Sequence, residues 1–231
     1  MGPVRAHLRI AIDGPAGSGK STIGERLARR LSYSYVDTGA FYRALTVLAL
    51  AHAVDPADGA ALTRLAEGAR IQVLPPTVAD GRQYTVRLDG RDITGELRTP
   101  AVEANVSRVS AHPGVRQAIR GQQRALADER GVVMVGRDIG TVVLPDADLK
   151  IYLEVSVDER ARRRHGDLAH QLGSQAPSYE QVRDELARRD ALDAAQMRRA
   201  DDAVVIHTDV MQADDVVAEI LAMLGQDHER A

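Results

Sequence analysis

Leu8-Arg9-Ile10-Ala11-Ile12-Asp13, followed without a break by Gly14-Pro15-Ala16-Gly17-Ser18-Gly19-Lys20-Ser21-Thr22, decides the fold. The first six residues are mostly apolar and read as a short buried strand. From Ser21 the period changes: Ile23, Leu27 and Leu31 recur every four residues, as on one face of a helix. Between strand and helix, Gly14, Gly19, Lys20 and Ser21 satisfy the pattern Gly-x-x-x-x-Gly-Lys-Ser. Glycines allow successive backbone N–H groups to turn inward and form an anion nest. The N-terminus of the following helix adds a positive dipole. Lys20 would reach the β- and γ-phosphates of a triphosphate as the catalytic cation, and the Ser21 hydroxyl would ligate Mg²⁺. Gly14 to Thr22 is thus the expected ATP-binding loop.

Outward from this loop the chain alternates strands and helices. Tyr33 to Asp37, Val132 to Val135, Lys150 to Val155 and Ala203 to His207 read as strands. Helical patterns cover Ala40 to Ala53, Ala60 to Arg70, Asp158 to Gly173, Ser178 to Asp190 and Ala213 to Leu224. Two more, Pro100 to Ala111 and Pro113 to Arg130, each open on a proline suited to a first helical turn. Val132 to Val135 is apolar throughout, as in a parallel sheet covered on both faces. The implied class is α/β, a doubly wound parallel sheet. Between residues 71 and 95 the grammar differs. Ile71 to Leu74, Tyr84 to Leu88 and Ile93-Thr94 are short β-like pieces, with Asp80-Gly81 and Asp89-Gly90 as hairpin-type turns. This predicts a small β-rich insertion.

Composition narrows the class. The chain has 231 residues, of which 44% are hydrophobic but only 3% aromatic, so the core must be built from Ala, Val, Leu and Ile. A net charge of −3 gives no global field for nucleic acid or an acidic membrane. The absence of cysteine excludes disulfides, cysteine-ligated zinc and thiol catalysis. Residues 1–9 carry no apolar core of a signal peptide, and the longest mostly apolar stretch, Ala44 to Val54, is too short to span a bilayer. A monomeric cytoplasmic enzyme is expected, with no nucleic-acid or membrane partner.

A phosphate loop also serves GTPase switches and motor ATPases. The base-reading Asn-Lys-x-Asp of a guanine switch is absent, and Asp92-Ile93-Thr94-Gly95 matches Asp-x-x-Gly only inside the β-rich insertion. Asp128-Glu129 resembles an ATPase acidic box but ends a helical pattern. A small-molecule kinase fits better. Asp37-Thr38-Gly39-Ala40-Phe41-Tyr42-Arg43 follows the second strand at the carboxyl edge of the sheet, beside the loop, although Asp37 or Thr38 would also suit a helix cap. Arg137-Asp138 ends the buried strand and could address a phosphate and a base or sugar, or form a local ion pair. Arg160, Arg163 and Arg164 share one helix face, with Arg188 and Arg189 on the next helix, as an arginine lid or a solvated charged face.

Taken together, Ile12 to Thr22, Asp37 to Arg43 and Val135-Gly136-Arg137-Asp138-Ile139-Gly140-Thr141-Val142-Val143 resemble the bacterial cytidylate kinase family over nearly the whole chain. The resemblance implies transfer of the ATP γ-phosphate to CMP or dCMP with Mg²⁺. It implies a P-loop kinase core, a monophosphate-binding region at about 37–131 and a helical lid at about 158–200. It assigns Asp37, Thr38, Tyr42, Arg43, Ser107, Arg116, Arg137, Asp138 and Asp193 to the CMP side, and Arg163, Arg164 and Arg189 to catalysis. Other acceptors such as UMP, AMP or a polar metabolite, or a non-kinase switch, are the alternatives. The chain departs from the family pattern at Gln196, where an arginine is usual, with Arg198 and Arg199 as possible replacements. His207 is read as structural.

Overall fold

The computed structural model describes residues 7–127 and 131–226; Asp128-Glu129 therefore lies outside the described residues. The alternation predicts the architecture well. Strands β1 (Arg9–Asp13), β2 (Ser34–Asp37), β6 (Val132–Gly136), β7 (Leu149–Glu154) and β8 (Val204–His207) form one parallel sheet in the order β2-β6-β1-β7-β8. Helix α1 (Lys20–Leu31) follows β1. Helices α2 (Gly39–Ala51), α3 (Gly59–Gly68), α4 (Pro100–Ser110) and α5 (Pro113–Ala125) lie between β2 and β6. Helices α6 (Val157–Leu172) and α7 (Tyr179–Asp193) fall between β7 and β8, and α8 (Ala213–Gln226) ends the described chain.

Alternate residues of β1 and β6 point to opposite faces, so each face acquires its own core. Ala11, Val132 and Met134 pack with Phe41, Leu45 and Ile119 on the α2–α5 side. Ile10, Ile12, Val133 and Val135 pack with Ile23, Leu27 and Ile220 on the α1–α8 side. Both β1 and β6 are central strands, and this two-sided burial explains their apolar runs.

The insertion is a three-stranded antiparallel sheet, β3 (Ile71–Leu74), β4 (Thr85–Leu88) and β5 (Arg91–Asp92). Asp89 and Gly90 take φ of +50° and +88°, the two positive values that a two-residue hairpin turn demands. Two details differ from expectation. Ile93-Thr94 is not a strand: Ile93 is buried, and Thr94–Glu96 forms a 3₁₀ turn. The turn begins where Asp92 accepts from both the Thr94 N–H and its hydroxyl. Asp80-Gly81 sits in the longer loop between Leu74 and Thr85, not at a tight hairpin turn. Helix α7 also runs past Asp190 to Asp193, because Ala191-Leu192 are good helix formers.

Candidate active site

Strand β1 turns into α1 through residues 14–19. A Cβ on Gly14 would lie 2.6 Å from the Leu153 carbonyl oxygen of β7, so only glycine lets the loop pass there. Gly19, the N-cap of α1, takes the left-handed conformation at φ +86°. Lys20 Nζ donates to the Pro15 carbonyl at 2.6 Å and to Ser18 Oγ at 3.1 Å. Burial pushes its ammonium pKa well below the usual value, helped by the Arg137 charge and opposed by Asp37, Asp13 and Asp193. Ser21 Oγ donates to Asp37 Oδ2 at 3.3 Å, while Asp37 Oδ1 accepts from the Gly39 N–H at 2.9 Å. A hydroxyl and a carboxylate thus stand side by side at the loop exit. Thr38 makes no side-chain cap; its hydroxyl donates to the Val135 carbonyl at 2.9 Å and pins β2 to β6.

A row of paired arginines lines the same cleft. Arg43 on α2 donates to Glu103 on α4 at 2.5 Å. Arg116 on α5 pairs with Asp138 at 2.5 Å and lies 5.1 Å from the centre of the Tyr42 ring. Arg137 pairs with Asp193 at the end of α7, 3.0 Å away. Burial raises the Tyr42 phenol pKa against the pull of Arg116, keeping it neutral. Ser107 is buried on α4 and lines the same space. Each of these arginines is held by a carboxylate, which prevents like-charge repulsion and fixes its rotamer.

The arginines of α6 and α7 divide by their contacts. Arg160 is buried, donating to the Ala16 carbonyl at 2.9 Å and forming a two-pronged pair with Asp190 at 3.1 and 2.5 Å. It fastens α6 and α7 to the phosphate loop. Arg163 holds Glu159 at 2.6 Å and the Thr208 carbonyl while still bordering the cleft. Arg164 borders the cleft with no hydrogen bond or ion pair among the described residues. Arg189 points inward and meets Glu103 at 2.9 Å. Arg162 and Arg188 are turned away, paired with Glu159 and Glu185 of their own helices.

Several site features gave no sequence signal. Asp13, the last residue of β1, accepts from the Ile139 and Gly140 N–H groups at 2.8 Å each. These donors open a π-helical turn, Ile139–Val143, so Asp13 locks the Arg137-Asp138 corner to the phosphate loop. Burial pushes its pKa up to about 6, against the two N–H bonds that favour the charge. Glu103 and Arg98 line the cleft but look like ordinary charges at a helix start. Gln196 lines the cleft too, whereas Arg198 and Arg199 are exposed and do not. His207 is exposed at the end of β8, away from the cleft.

These walls enclose one cleft of about 430 Å³, at the carboxyl ends of β1, β2 and β6. It brings together Ala16 to Thr22, the Asp37 to Arg43 polar groups, Ser107, Arg116, Arg137-Asp138 and, from α6 and α7, Arg163, Arg164, Arg189 and Asp193. Of the predicted site only Gly14 and Pro15 fall behind the lining, as loop geometry and Lys20 acceptor respectively. A phosphate loop that shares its cleft with an arginine-rich wall and an arginine-bearing helical hairpin defines a P-loop kinase.

The family model for cytidylate kinase matches residues 10–226, and the chain belongs to that family. A cytidylate kinase of Herpetosiphon aurantiacus is 54% identical over 216 residues, covering 94% of this chain and 93% of that protein. One of Roseiflexus castenholzii is 51% identical, covering 94% and 93%. A solved structure of an uncharacterized protein from Eubacterium ventriosum covers 95% of this chain and 99% of its own at a TM-score of 0.50. At 12% identity it speaks to the fold alone.

Proposed function

We propose that the protein transfers the γ-phosphate of ATP to CMP or dCMP, giving ADP and CDP or dCDP. The observation that carries this reading is that Arg43, Arg116, Arg137 and Asp138 line one cleft with Lys20 and Ser21, in a chain of the cytidylate kinase family. The loop Gly14 to Thr22 holds the triphosphate, with Gly14 and Pro15 shaping it and Ala16 to Thr22 presenting backbone N–H groups and Lys20. A phosphate oxygen of the acceptor attacks the γ-phosphorus in line as the bond to ADP breaks, so no protein nucleophile is needed. Arg43, Arg116 and Arg137 hold the acceptor phosphate and Asp138 its nucleoside part. Arg163, Arg164 and Arg189 meet the charge on the moving group and exclude water.

The Ser21 hydroxyl beside the Asp37 carboxylate offers hard oxygen donors of the kind Mg²⁺ takes. Ser21 would hold the ion, with Asp37 orienting its water shell; bound there, Mg²⁺ neutralises charge on the β- and γ-phosphates. Residues of about 37–131, with the insertion at about 71–95, form the acceptor region, and about 158–200 the lid. Among the described residues no helix is long and apolar enough to cross a membrane. Among the described residues the exposed large apolar side chains are Leu50, Val78, Leu172, Val204 and Val210, no two of them adjacent in sequence. Action as a monomer in the cytoplasm is part of the same proposal, and sedimentation checks the first half.

A coupled assay with ATP and CMP, dCMP, UMP, AMP or shikimate tests the reading. CMP and dCMP are expected to be the best acceptors; a better rate with any other overturns it. Lys20→Ala is expected to lower kcat at least about a hundredfold.

A further inference from the structure

Glu103 divides its two carboxylate oxygens between two helices. Oε1 accepts from Arg43 Nη1 on α2 at 2.5 Å, and Oε2 accepts from Arg189 Nη1 on α7 at 2.9 Å. The three side chains are 23%, 13% and 16% exposed, so water does little to screen them. All three border the cleft shared with Lys20. A guanidinium has five N–H donors, and each arginine gives Glu103 only one kind of them. Arg189 Nε is buried with no hydrogen-bond partner. A buried charged donor left unpaired is costly unless something else is to fill its place.

We propose that Glu103 is a positioning residue for phosphoryl transfer. It sets Arg43 and Arg189 at one spacing, with the remaining N–H groups of Arg43 turned to the acceptor's phosphate and those of Arg189 to the point where that phosphate meets the moving group. This rests on the kinase reading above. Without the carboxylate, two guanidinium groups would face each other unscreened and each would regain rotamer freedom. With it, the lid arginine is placed before substrate arrives. Burial would raise the Glu103 pKa, but Arg43 and Arg189 outweigh it and hold the group below the usual carboxylate range, so the bridge stays charged.

Glu103→Gln tests this, with the KM for ATP and for CMP measured separately beside the melting temperature. Glutamine keeps the shape but can accept from only one arginine and turns an N–H toward the other. The KM for CMP is expected to rise about tenfold to a hundredfold, with the KM for ATP within about twofold of wild type. Adding Glu103→Gln to Arg189→Ala is expected to cost much less than it does alone. A lower KM for CMP would mean that Glu103 competes with the substrate and would overturn the proposal. So would unchanged kinetics, or equal effects on both substrates with a lowered melting temperature. Should Glu103→Gln fail to fold, Glu103→Asp, which keeps the charge on a shorter arm, carries the same test: a raised KM for CMP alone supports it, and an unchanged one overturns it. Wild-type enzyme that turns over neither CMP nor dCMP defeats the parent reading instead.

Discussion

Arg160 and Arg164 stand four residues apart on α6, with the same side chain and different surroundings. Arg160 is buried, carries three hydrogen bonds and holds α6 to Ala16 of the phosphate loop and to Asp190 of α7. Arg164 has no partner among the described residues and borders the cleft. Arg160→Ala leaves the Asp190 carboxylate half-buried without its cation. It is expected to cost about 2 kcal/mol of stability, read by chemical denaturation. Arg164→Ala is expected to leave stability unchanged within about 0.5 kcal/mol while lowering kcat. If Arg164→Ala is instead the destabilising change, the division of roles is wrong. Asp13 makes a prediction about pH. Its folded-state pKa, about 6, lies above that of an exposed aspartate. The folded state therefore binds the proton more tightly than the unfolded chain does. Its stabilising contribution is fully present at low pH, falls as pH rises from about 4 through 6, and is flat above. Asp13→Asn should remove that component, so the stability gap between the two proteins should narrow from pH 4.5 to 7. A gap that widens over this range would show that Asp13 is more acidic in the fold than unfolded.

At the scale of elements, the sequence was readable wherever burial repeated with a fixed period. Ile23, Leu27 and the buried runs of β1 and β6 announced themselves because one face, or both, must be apolar. The Asp89-Gly90 turn was readable because both positions need positive φ. The π turn at Ile139–Val143 was not, since its stabilising partner, Asp13, lies 126 residues away in sequence. Glu103 was hidden for the same reason: its two arginines come from separate helices, and no local pattern joins them. Ser107 and Arg116 were found only through family resemblance, as each looks like ordinary helix polarity. Gly24 is another contact that local pattern hides. Alanine normally improves a helix interior by about 1 kcal/mol over glycine. Here a Cβ on Gly24 would lie 2.5 Å from Val135 Cγ1, a side chain packed in the central strand. Overpacking of this kind costs about 1–3 kcal/mol, so Gly24→Ala is expected to lower the melting temperature. A raised one would mean that α1 can lift from β6 at little cost.

Across the whole molecule, the two additions to the parallel sheet are attached differently. The antiparallel insertion has no core of its own. Ile71, Val73, Val86, Leu88 and Ile93 belong to the same buried cluster as Phe41, Leu45 and Met134. The α6–α7 hairpin does have a separate cluster, made of Ala16, Ala161, Val182 and Leu186, and only Ala16 comes from outside it. The ion pairs Arg137–Asp193 and Arg189–Glu103, with the Arg160 and Arg163 hydrogen bonds to the Ala16 and Thr208 carbonyls, tie it to the rest of the molecule. Local opening follows lines of few apolar contacts. The hairpin should therefore open while the insertion stays closed, which is what a kinase needs to admit substrates on one side and exclude water afterwards. Hydrogen exchange can separate the two. Amides of β3 and β4 should exchange only with global unfolding, and those of α6 and α7 at a much lower free energy. Val86→Ala should cost about 2 kcal/mol and move the melting temperature by about 4–8 °C. Val182→Ala should speed exchange in α6–α7 and shift the melting temperature by about 1 °C or less. Equal melting shifts for both variants would mean that the hairpin unfolds with the sheet, and that closure must come from another part of the chain.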